Sequence, residues 1–217
     1  MSRKQLELNP SKSLFYHLVA GTLRGLATVL SRPQVRGSEN IPMSGPVLIA
    51  PTHRSNVDFA FSLFMTRRKV FFMAKDSLFR VPVLGRAITA LGAFPVARGT
   101  ADRDAMRAAQ AVLAAGQALI LFPEGTRKYG PTVENLLDGT MFIAAREQAV
   151  VVPVGLGGTE TFAARLKRGR LARVSIVIGE AINPPEVAER VSRSAVAAKT
   201  VELQTKLQRA LDEAQPA

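Results

Sequence analysis

Residues 47–58, VLIAPTHRSNVD, carry the clearest structural signal in the chain. The uninterrupted apolar run at residues 47–50 predicts a buried strand, and the polar residues after it predict a turn into a helix. His53 in that turn is one of only two histidines among the 217 residues. Imidazole suits the removal of a proton from a weak nucleophile at neutral pH, and a carboxylate can hold it in the required tautomer. His53 and Asp58 are therefore candidate catalytic residues.

The spacing of this pair limits where the two residues can lie. Each residue of a helix turns about 100°, so five residues on one helix would point His53 and Asp58 about 140° apart. They can meet only if His53 lies in the turn before the helix and Asp58 in its first turns. Ser55 is the predicted cap of that helix. A lone His/Asp pair is a weak signal, so other residues must support it.

Beyond this stretch, segments with strand and helix patterns alternate along the chain. The near-continuous apolar strands predict an α/β fold with a sheet covered by helices on both faces. The predicted strands are residues 47–50, 70–74, 93–96, 118–122, 150–154 and 173–178. The predicted helices are residues 12–31, 58–67, 83–91, 102–115, 139–148 and 186–214.

The N-terminal helix, residues 12–31, is strongly apolar, and two interpretations of it remain open. It can lie in the membrane interface with neighbouring cations on anionic head groups, or it can pack on the domain as an ordinary helix. Its 17-residue apolar stretch contains His17 and Arg24, which does not favour a membrane span. The predicted division is a membrane-associating segment at residues 1–36 and an α/β domain at residues 37–217.

Composition narrows the function further. The net charge is +12 and the sequence pI is about 11.0, which predicts an anionic partner. The chain has no cysteine, which excludes disulfides, thiolate metal sites and a cysteine nucleophile, and no metal is expected from two histidines without clustered carboxylates. No basic stripe interleaved with aromatic residues is present, so a membrane lipid surface is preferred over nucleic acid. Residues 165–173 hold five cations and no acid, which predicts either contact with anionic lipid or with other phosphate groups, or a solvated loop.

Three further blocks follow the His53 block in a fixed order. They are GAFPVAR at residues 92–98, FPEGTRK at residues 122–128 and VVPVG at residues 151–155. With the His-x4-Asp block, they resemble the glycerophospholipid acyltransferase family, whose members acylate glycerol-3-phosphate or lysophosphatidic acid. The resemblance covers residues 51–155, and its most specific part is the Phe-Pro-Glu-Gly-Thr-Arg string about 70 residues after the histidine.

The resemblance implies a fold, an activity and a site. The implied fold is a mixed, largely parallel sheet of the glycerol-3-phosphate acyltransferase type. The implied enzyme is a 1-acylglycerol-3-phosphate O-acyltransferase, a monotopic or peripheral enzyme of the cytoplasmic side of the cell membrane. Its co-substrate is acyl-CoA or acyl carrier protein, and it needs no cofactor. His53, oriented by Asp58, activates the sn-2 hydroxyl of lysophosphatidic acid directly, with no acyl-enzyme. The implied substrate-binding residues are Arg98, Glu124, Gly125, Thr126 and Arg127.

Some expectations concern choices that the motifs leave open. Arg54 and Lys128 stand where the family often has other residues. Both are expected to face solvent, the alternative being that they suit a more anionic acceptor. Arg127 is expected to bind the acceptor's phosphate, the alternative being a surface salt bridge with Glu124. Glycerol-3-phosphate and other lysophospholipids are alternative acceptors. A non-catalytic basic protein that binds membrane surfaces is the alternative from another functional class.

Overall fold

The computed structural model describes residues 13–97, 102–186 and 190–215. In this part of the chain, seven strands form one sheet and seven α-helices surround it. The strands are β1 (Gln34–Arg36), β2 (Val47–Pro51), β3 (Val70–Lys75), β4 (Ala93–Val96), β5 (Ala118–Ile120), β6 (Val150–Gly157) and β7 (Ser175–Ile178). The helices are α1 (Ser13–Ser31), α2 (Asp58–Ser62), α3 (Pro82–Ala90), α4 (Arg103–Ala114), α5 (Gly139–Arg146), α6 (Phe162–Lys167) and α7 (Arg193–Ala214).

The sheet has the strand order β1-β7-β6-β2-β5-β3-β4. Neighbouring strands are parallel except for the antiparallel pair β6 and β7, so the prediction of a mixed, largely parallel sheet is confirmed. β2 lies at the centre, where Leu48 is in register with Leu119 of β5 and Val151 of β6. Since parallel strands end at one edge, the loops after β2, β5 and β6 lie together at what we call the carboxyl edge.

Alternate residues of β2 supply two hydrophobic cores, one on each face of the sheet. Ile49 belongs to a core that includes Tyr16 of α1 and Phe61 of α2. Leu48 belongs to the opposite core, with residues such as Val112 of α4 and Leu203 of α7. Each face of the central strand is thus sealed from water, and the prediction of helices on both faces is confirmed.

Helix α1 packs on the domain through one side and leaves the other side exposed. Arg24 points inward and donates hydrogen bonds to the carbonyl oxygens of Leu63 and Thr66, just after α2. The opposite side exposes three large apolar residues, Leu18, Leu26 and Val29. Within the described residues, no helix combines the length and apolar character needed to cross a membrane.

Several element boundaries differ from the sequence prediction for local reasons. Helix α2 ends at Ser62, not at residue 67, and Arg24 binds the Leu63 carbonyl, which a helix continuing to residue 67 would use itself. Helix α7 begins only at Arg193, because the Ser192 hydroxyl caps it by accepting the N–H of Ala195. The short elements β1 and α6 were not predicted, because three and six residues are too few for a periodic pattern to show.

Strand β6 and helix α7 are in unusually close contact. A Cβ atom at Gly155 or Gly157 would collide with the backbone carbonyl of Ala210 or Ala214, respectively. The two glycines therefore let the helix lie directly on the strand.

Candidate active site

His53 and Asp58 come together as their spacing predicted. The Nδ1 atom of His53 lies 2.8 Å from Oδ2 of Asp58, and both residues are buried. Asp58 is the first residue of α2, and His53 lies in the turn before it. The same Oδ2 atom also accepts the backbone N–H groups of Arg54 and Ser55, each at 2.7 Å. Three donors thus hold one carboxylate oxygen in place and bend the turn back onto the start of the helix.

The hydrogen bonds of Asp58 determine which nitrogen of His53 carries a proton. A carboxylate that receives two backbone N–H groups can only accept from a third partner, so Nδ1 of His53 is protonated. In the neutral imidazole, the lone pair is then on Nε2. Phe122 stacks on the imidazole with ring centroids 4.2 Å apart and an interplanar angle of 28°. The ring plane is thereby fixed and Nε2 is free to accept a proton.

The expectation that Arg54 faces solvent is wrong. Its Nη1 atom lies 2.7 Å from Oε1 of Glu124, and the two side chains are 4% and 0% exposed. Its Nη2 atom donates to the carbonyl of Thr132 at 3.1 Å. A buried carboxylate needs a partner, and Glu124 lies directly beside the turn, so the guanidinium is drawn inward. The sequence analysis placed Glu124 among the substrate-binding residues and did not identify Arg54 as its partner.

The loop after β5 holds the backbone of His53 on both sides. Oε2 of Glu124 accepts the His53 N–H at 2.8 Å, and the Lys128 N–H donates to the His53 carbonyl at 2.9 Å. Gly125 closes a tight turn at φ +66°, a conformation that L side chains rarely adopt, and its N–H donates to Phe122 at 3.1 Å. The motifs at residues 53–58 and 122–128 therefore form one structural unit.

The predicted role of Ser55 as a helix cap is wrong. Val57 occupies the cap position of α2, and no side chain caps it. The N–H groups of Arg54 and Ser55, in the turn before α2, both donate to Asp58 and are not available to another acceptor. A negative charge formed at the site therefore has to find other donors.

A cavity of about 810 Å³ opens beside His53. Gly125 and Thr126 line it together with His53. Its apolar lining includes Met73, Val96, Met106, Leu121, Phe122, Leu137 and Phe142. Its cationic lining consists of Arg103, Arg107 and Arg146, which sequence reasoning did not single out. A long apolar group and an anionic group can therefore occupy this cavity together.

The other predicted site residues lie around this cavity or outside the described residues. Arg127 is exposed and forms no ion pair with Glu124 or any other described residue; it does not line the cavity itself but directly follows Thr126, which does. Glu124 is buried in its pair with Arg54 and does not line the cavity. Arg98 lies outside the described residues. No cluster of potential metal ligands occurs in the part of the chain that the structure describes.

Asp102, also missed by sequence reasoning, fastens the end of β4 to the start of α4 beside the cavity. Its Oδ2 atom accepts the Ala97 N–H at 2.7 Å, and Oδ1 accepts those of Asp104 and Ala105 at 3.0 and 2.9 Å. These backbone donors, that of Ala97 foremost, lower the pKa of Asp102 below its ordinary value.

Comparison with protein families matches residues 32–157, more than half of the chain, to the family described as acyltransferase. The chain belongs to the acyltransferase family. The matched region contains β1 to β6, the His53–Asp58 pair and the Glu124 loop. The matched region therefore includes both motifs, residues 53–58 and 122–128, that form one structural unit.

Individual relatives of this acyltransferase agree in their names. It is 31% identical over 171 residues to a 1-acyl-sn-glycerol-3-phosphate acyltransferase of Chlamydomonas reinhardtii, covering 74% of this chain and 51% of that protein. A chloroplastic enzyme of the same name from Arabidopsis thaliana is 27% identical over 71% of this chain and 44% of its own length. One from Bacillus subtilis is 27% identical over 88% of this chain and 94% of its own. The chain thus spans about half the length of the algal and plant relatives and nearly the whole of the bacterial one.

A solved structure supports the fold of this family member. The crystal structure of the 1-acyl-sn-glycerophosphate acyltransferase PlsC from Thermotoga maritima superposes with a TM-score of 0.72 at 24% identity. The match covers 96% of this chain and 84% of that one. The backbone similarity therefore extends beyond the motifs to nearly the whole chain.

Proposed function

We propose that this chain transfers a fatty acyl group from acyl-CoA or acyl carrier protein to the sn-2 hydroxyl of 1-acylglycerol-3-phosphate, forming phosphatidic acid. The observation that carries the proposal is the His53–Asp58 pair at 2.8 Å, positioned beside an apolar cavity in a member of the acyltransferase family. The names of the relatives support this acceptor.

In the proposed reaction, His53 acts as a general base. Its Nε2 atom takes the proton of the sn-2 hydroxyl as the oxygen attacks the thioester carbon. The tetrahedral intermediate then expels the thiolate, which receives the proton from Nε2, so the products are phosphatidic acid and the free thiol. Asp58 accepts the Nδ1–H throughout and stabilises the imidazolium cation. General base catalysis of this kind contributes about 10²- to 10⁴-fold to the rate.

The cavity beside His53 suits the two ends of such substrates. An acyl chain can lie against Met73, Leu121 and Phe142, which removes apolar surface from water. The acceptor's phosphate requires cations near the mouth, and we assign Arg127 to it because this exposed guanidinium is unpaired within the described residues. Arg98 keeps its proposed role as a second phosphate ligand on the motif alone.

We further propose that the protein acts at the cytoplasmic surface of the membrane as a peripheral or monotopic enzyme. A net charge of +12 suits the anionic cytoplasmic leaflet, and helix α1 exposes Leu18, Leu26 and Val29 along one side. Both substrates then meet at the surface where the lysophospholipid resides.

The proposal predicts turnover of lysophosphatidic acid with a long-chain acyl-CoA, measured by release of the free thiol and by detection of phosphatidic acid. His53→Ala is expected to lower turnover by about 10²- to 10⁴-fold, because no other base replaces Nε2. Asp58→Asn is expected to lower kcat by about 10³- to 10⁴-fold, since an amide does not stabilise the imidazolium. Circular dichroism and thermal unfolding of each variant serve as controls for folding.

Two results would contradict this function. If the parent protein turns over none of a panel of acyl donors and lysophospholipid or glycerol-3-phosphate acceptors, the chain is a surface-binding protein and not an enzyme. If His53→Ala retains turnover within about tenfold of the parent, the general base has been assigned wrongly.

A further inference from the structure

A second cavity, separate from the His53 cavity, is dominated by arginine. It has a volume of about 930 Å³, and we call it the arginine groove. Its cationic lining consists of Arg32, Arg36, Arg165, Arg170 and Arg173. Glu213 is its only lining carboxylate among the described residues. The catalytic proposal uses none of these side chains.

Backbone hydrogen bonds join two segments that are distant in sequence, and these segments form the groove. The Ala172 N–H donates to the Leu30 carbonyl at 3.0 Å, which joins the loop before β7 to the end of α1. The Gln34 N–H donates to the Val174 carbonyl, also at 3.0 Å. These backbone bonds hold residues 32–36 and 165–173 side by side. The arginines therefore surround one space instead of extending from independent loops.

Two of the arginines are further restrained by the backbone. Arg165 donates from Nε to the Leu171 carbonyl at 3.1 Å, and Arg36 donates from Nη2 to the Glu213 carbonyl at 2.5 Å. Neither bond neutralises a charge, because both acceptors are carbonyl oxygens. None of the five arginines forms an ion pair with a described carboxylate. The groove thus gathers five positive charges against a single lining carboxylate, that of Glu213, with which none of them forms an ion pair.

The chemistry of the groove suits a phosphate group. Guanidinium groups bind phosphate oxygens with paired hydrogen bonds, and several can converge on one phosphate. Among the described residues, the lining contains Leu171, Ala172 and Val174 but no aromatic side chain on which a nucleotide base could stack. A phosphate attached to an apolar molecule therefore fits better than the nucleotide of coenzyme A.

The surroundings of the groove favour a lipid in a membrane over a free solute. Leu18, Leu26 and Val29 are each more than half exposed and lie on one side of α1, with Arg32 one turn beyond Val29. Leu171, in the groove wall, is 48% exposed. An apolar row that ends in a cluster of cations matches the boundary between the acyl region and the head groups of a bilayer.

The groove also lies on the same edge of the sheet as His53. β7 is antiparallel to β6, and Ser175 at its start pairs with Gly157 at the end of β6. β1 is parallel to β7, so both strands begin at the carboxyl edge. At about 4.8 Å per strand, β1 lies roughly 14 Å from β2. One membrane surface can therefore face both cavities.

We propose that the arginine groove binds the head-group phosphate of an anionic phospholipid in the membrane, distinct from the lipid that reacts at His53. Bound lipid holds the carboxyl edge against the bilayer. This binding does not require turnover, so it can be tested even if the proposed reaction is wrong.

The test uses the full chain and phosphatidylcholine vesicles, with or without phosphatidylglycerol, in a sedimentation assay. The double variant Arg170→Gln and Arg173→Gln removes two charges from the groove. Its affinity for phosphatidylglycerol vesicles is expected to fall about 30-fold, because each cation at an anionic surface contributes about a fivefold factor. The matched control, Arg190→Gln with Arg193→Gln, removes two exposed charges at the opposite end of α7 from Glu213 and is expected to change affinity less than about twofold.

A third arm distinguishes the source of the phosphate. Coenzyme A and inorganic phosphate are titrated into the parent and the groove variant by calorimetry. Equal affinities for coenzyme A in the two proteins support the lipid assignment, and a loss of coenzyme A binding in the groove variant overturns it. An equal loss of vesicle binding in groove and control variants also overturns it, since net charge alone would then explain the effect. If the double variant does not fold, Arg32→Gln alone, expected to lose about fivefold, replaces it.

Discussion

The His53 loop and the arginine groove lie at the same edge of the sheet, yet their charges are partnered in opposite ways. In the loop, Arg54 and Glu124 are almost completely buried and neutralise each other. In the groove, five arginines face one exposed carboxylate, that of Glu213. A buried charge has to be compensated inside the protein, whereas an exposed cluster can take its counterion from a ligand. Burial, more than the presence of arginine, therefore distinguishes a structural cation from a binding one.

The largest expected effect comes from opening the buried pair. Arg54→Met leaves Glu124 buried without its cation and is expected to lower the free energy of unfolding by about 3–5 kcal/mol. The double variant Arg54→Met with Glu124→Gln should recover part of this loss, because the glutamine oxygen is neutral and can still accept the His53 N–H. Urea unfolding followed by circular dichroism measures the free energy of unfolding of the parent, the two single variants and the double variant, which together form a double-mutant cycle.

The matched control for this prediction is Arg127→Met, which changes an exposed arginine in the same loop. Its free energy of unfolding is expected to stay within about 0.5 kcal/mol of the parent. If Arg54→Met costs no more than this control, the buried pair has no structural role.

Arg127 shares a feature with each of the two regions. It lies in the loop after β5, as Glu124 does, but its guanidinium is exposed, as in the arginine groove. Arg127→Ala is expected to raise the KM for lysophosphatidic acid about tenfold while kcat changes little, since a charge-assisted hydrogen bond to the bound phosphate is lost. Initial rates in mixed micelles at varied acceptor concentration measure both constants.

Arg67→Ala is the control for this effect, because Arg67 is also exposed but precedes β3 at the opposite edge of the sheet. It should leave KM unchanged. If Arg127→Ala leaves KM unchanged and Arg103→Ala or Arg146→Ala raises it, the phosphate binds inside the cavity and not at Arg127.

Asp102 provides the smallest expected effect, because its carboxylate is compensated by backbone N–H groups and not by an arginine. Asp102→Ala is expected to lose about 1 kcal/mol of the free energy of unfolding at pH 7, the usual cost of removing a helix cap. Its pKa is lowered in the folded state, so this contribution is present above the unfolded value of about 3.9 and is lost as pH falls through the folded pKa. The difference in the free energy of unfolding between the parent and Asp102→Ala should therefore become smaller as the pH falls.

Urea unfolding of both proteins between neutral pH and about pH 3 tests this dependence. Asp104→Ala is the control, because this exposed carboxylate pairs with Arg107 and accepts no backbone N–H from a described residue. A gap for Asp102→Ala that stays constant over the whole range would show that the cap does not act through its charge.

The sequence was a good guide where one pattern determines one structure. The apolar run at residues 47–50 could hardly be anything but a buried strand, and the five-residue spacing of His53 and Asp58 left only a turn-to-helix junction. Both predictions are confirmed. The mixed, largely parallel sheet was available only through the resemblance to a family, because periodicity does not report strand direction.

Contacts between distant segments were beyond such reasoning. From the sequence, Arg54 is predicted to be exposed. Its burial depends on Glu124, which is 70 residues away in sequence but lies beside the same turn. The arginine groove could not be recognised from the sequence either. Residues 165–173 form one of its walls only because the pairing of β1 with β7 places Arg32 and Arg36 beside them. Partners that are remote in sequence decide what a charged side chain does.

The central position of β2 has a consequence for the biosynthesis of the protein. Its two neighbours, β5 and β6, lie far downstream, so β2 leaves the ribosome with both edges unpaired. At about 5–20 residues per second, several seconds pass before Gly157 at the end of β6 has been made. During this interval an apolar strand is open to pairing with other chains, and a nascent chain needs the protection of chaperones most. The turn at His53 acquires its shape in the same late phase, when Glu124 and Lys128 have arrived to hold it.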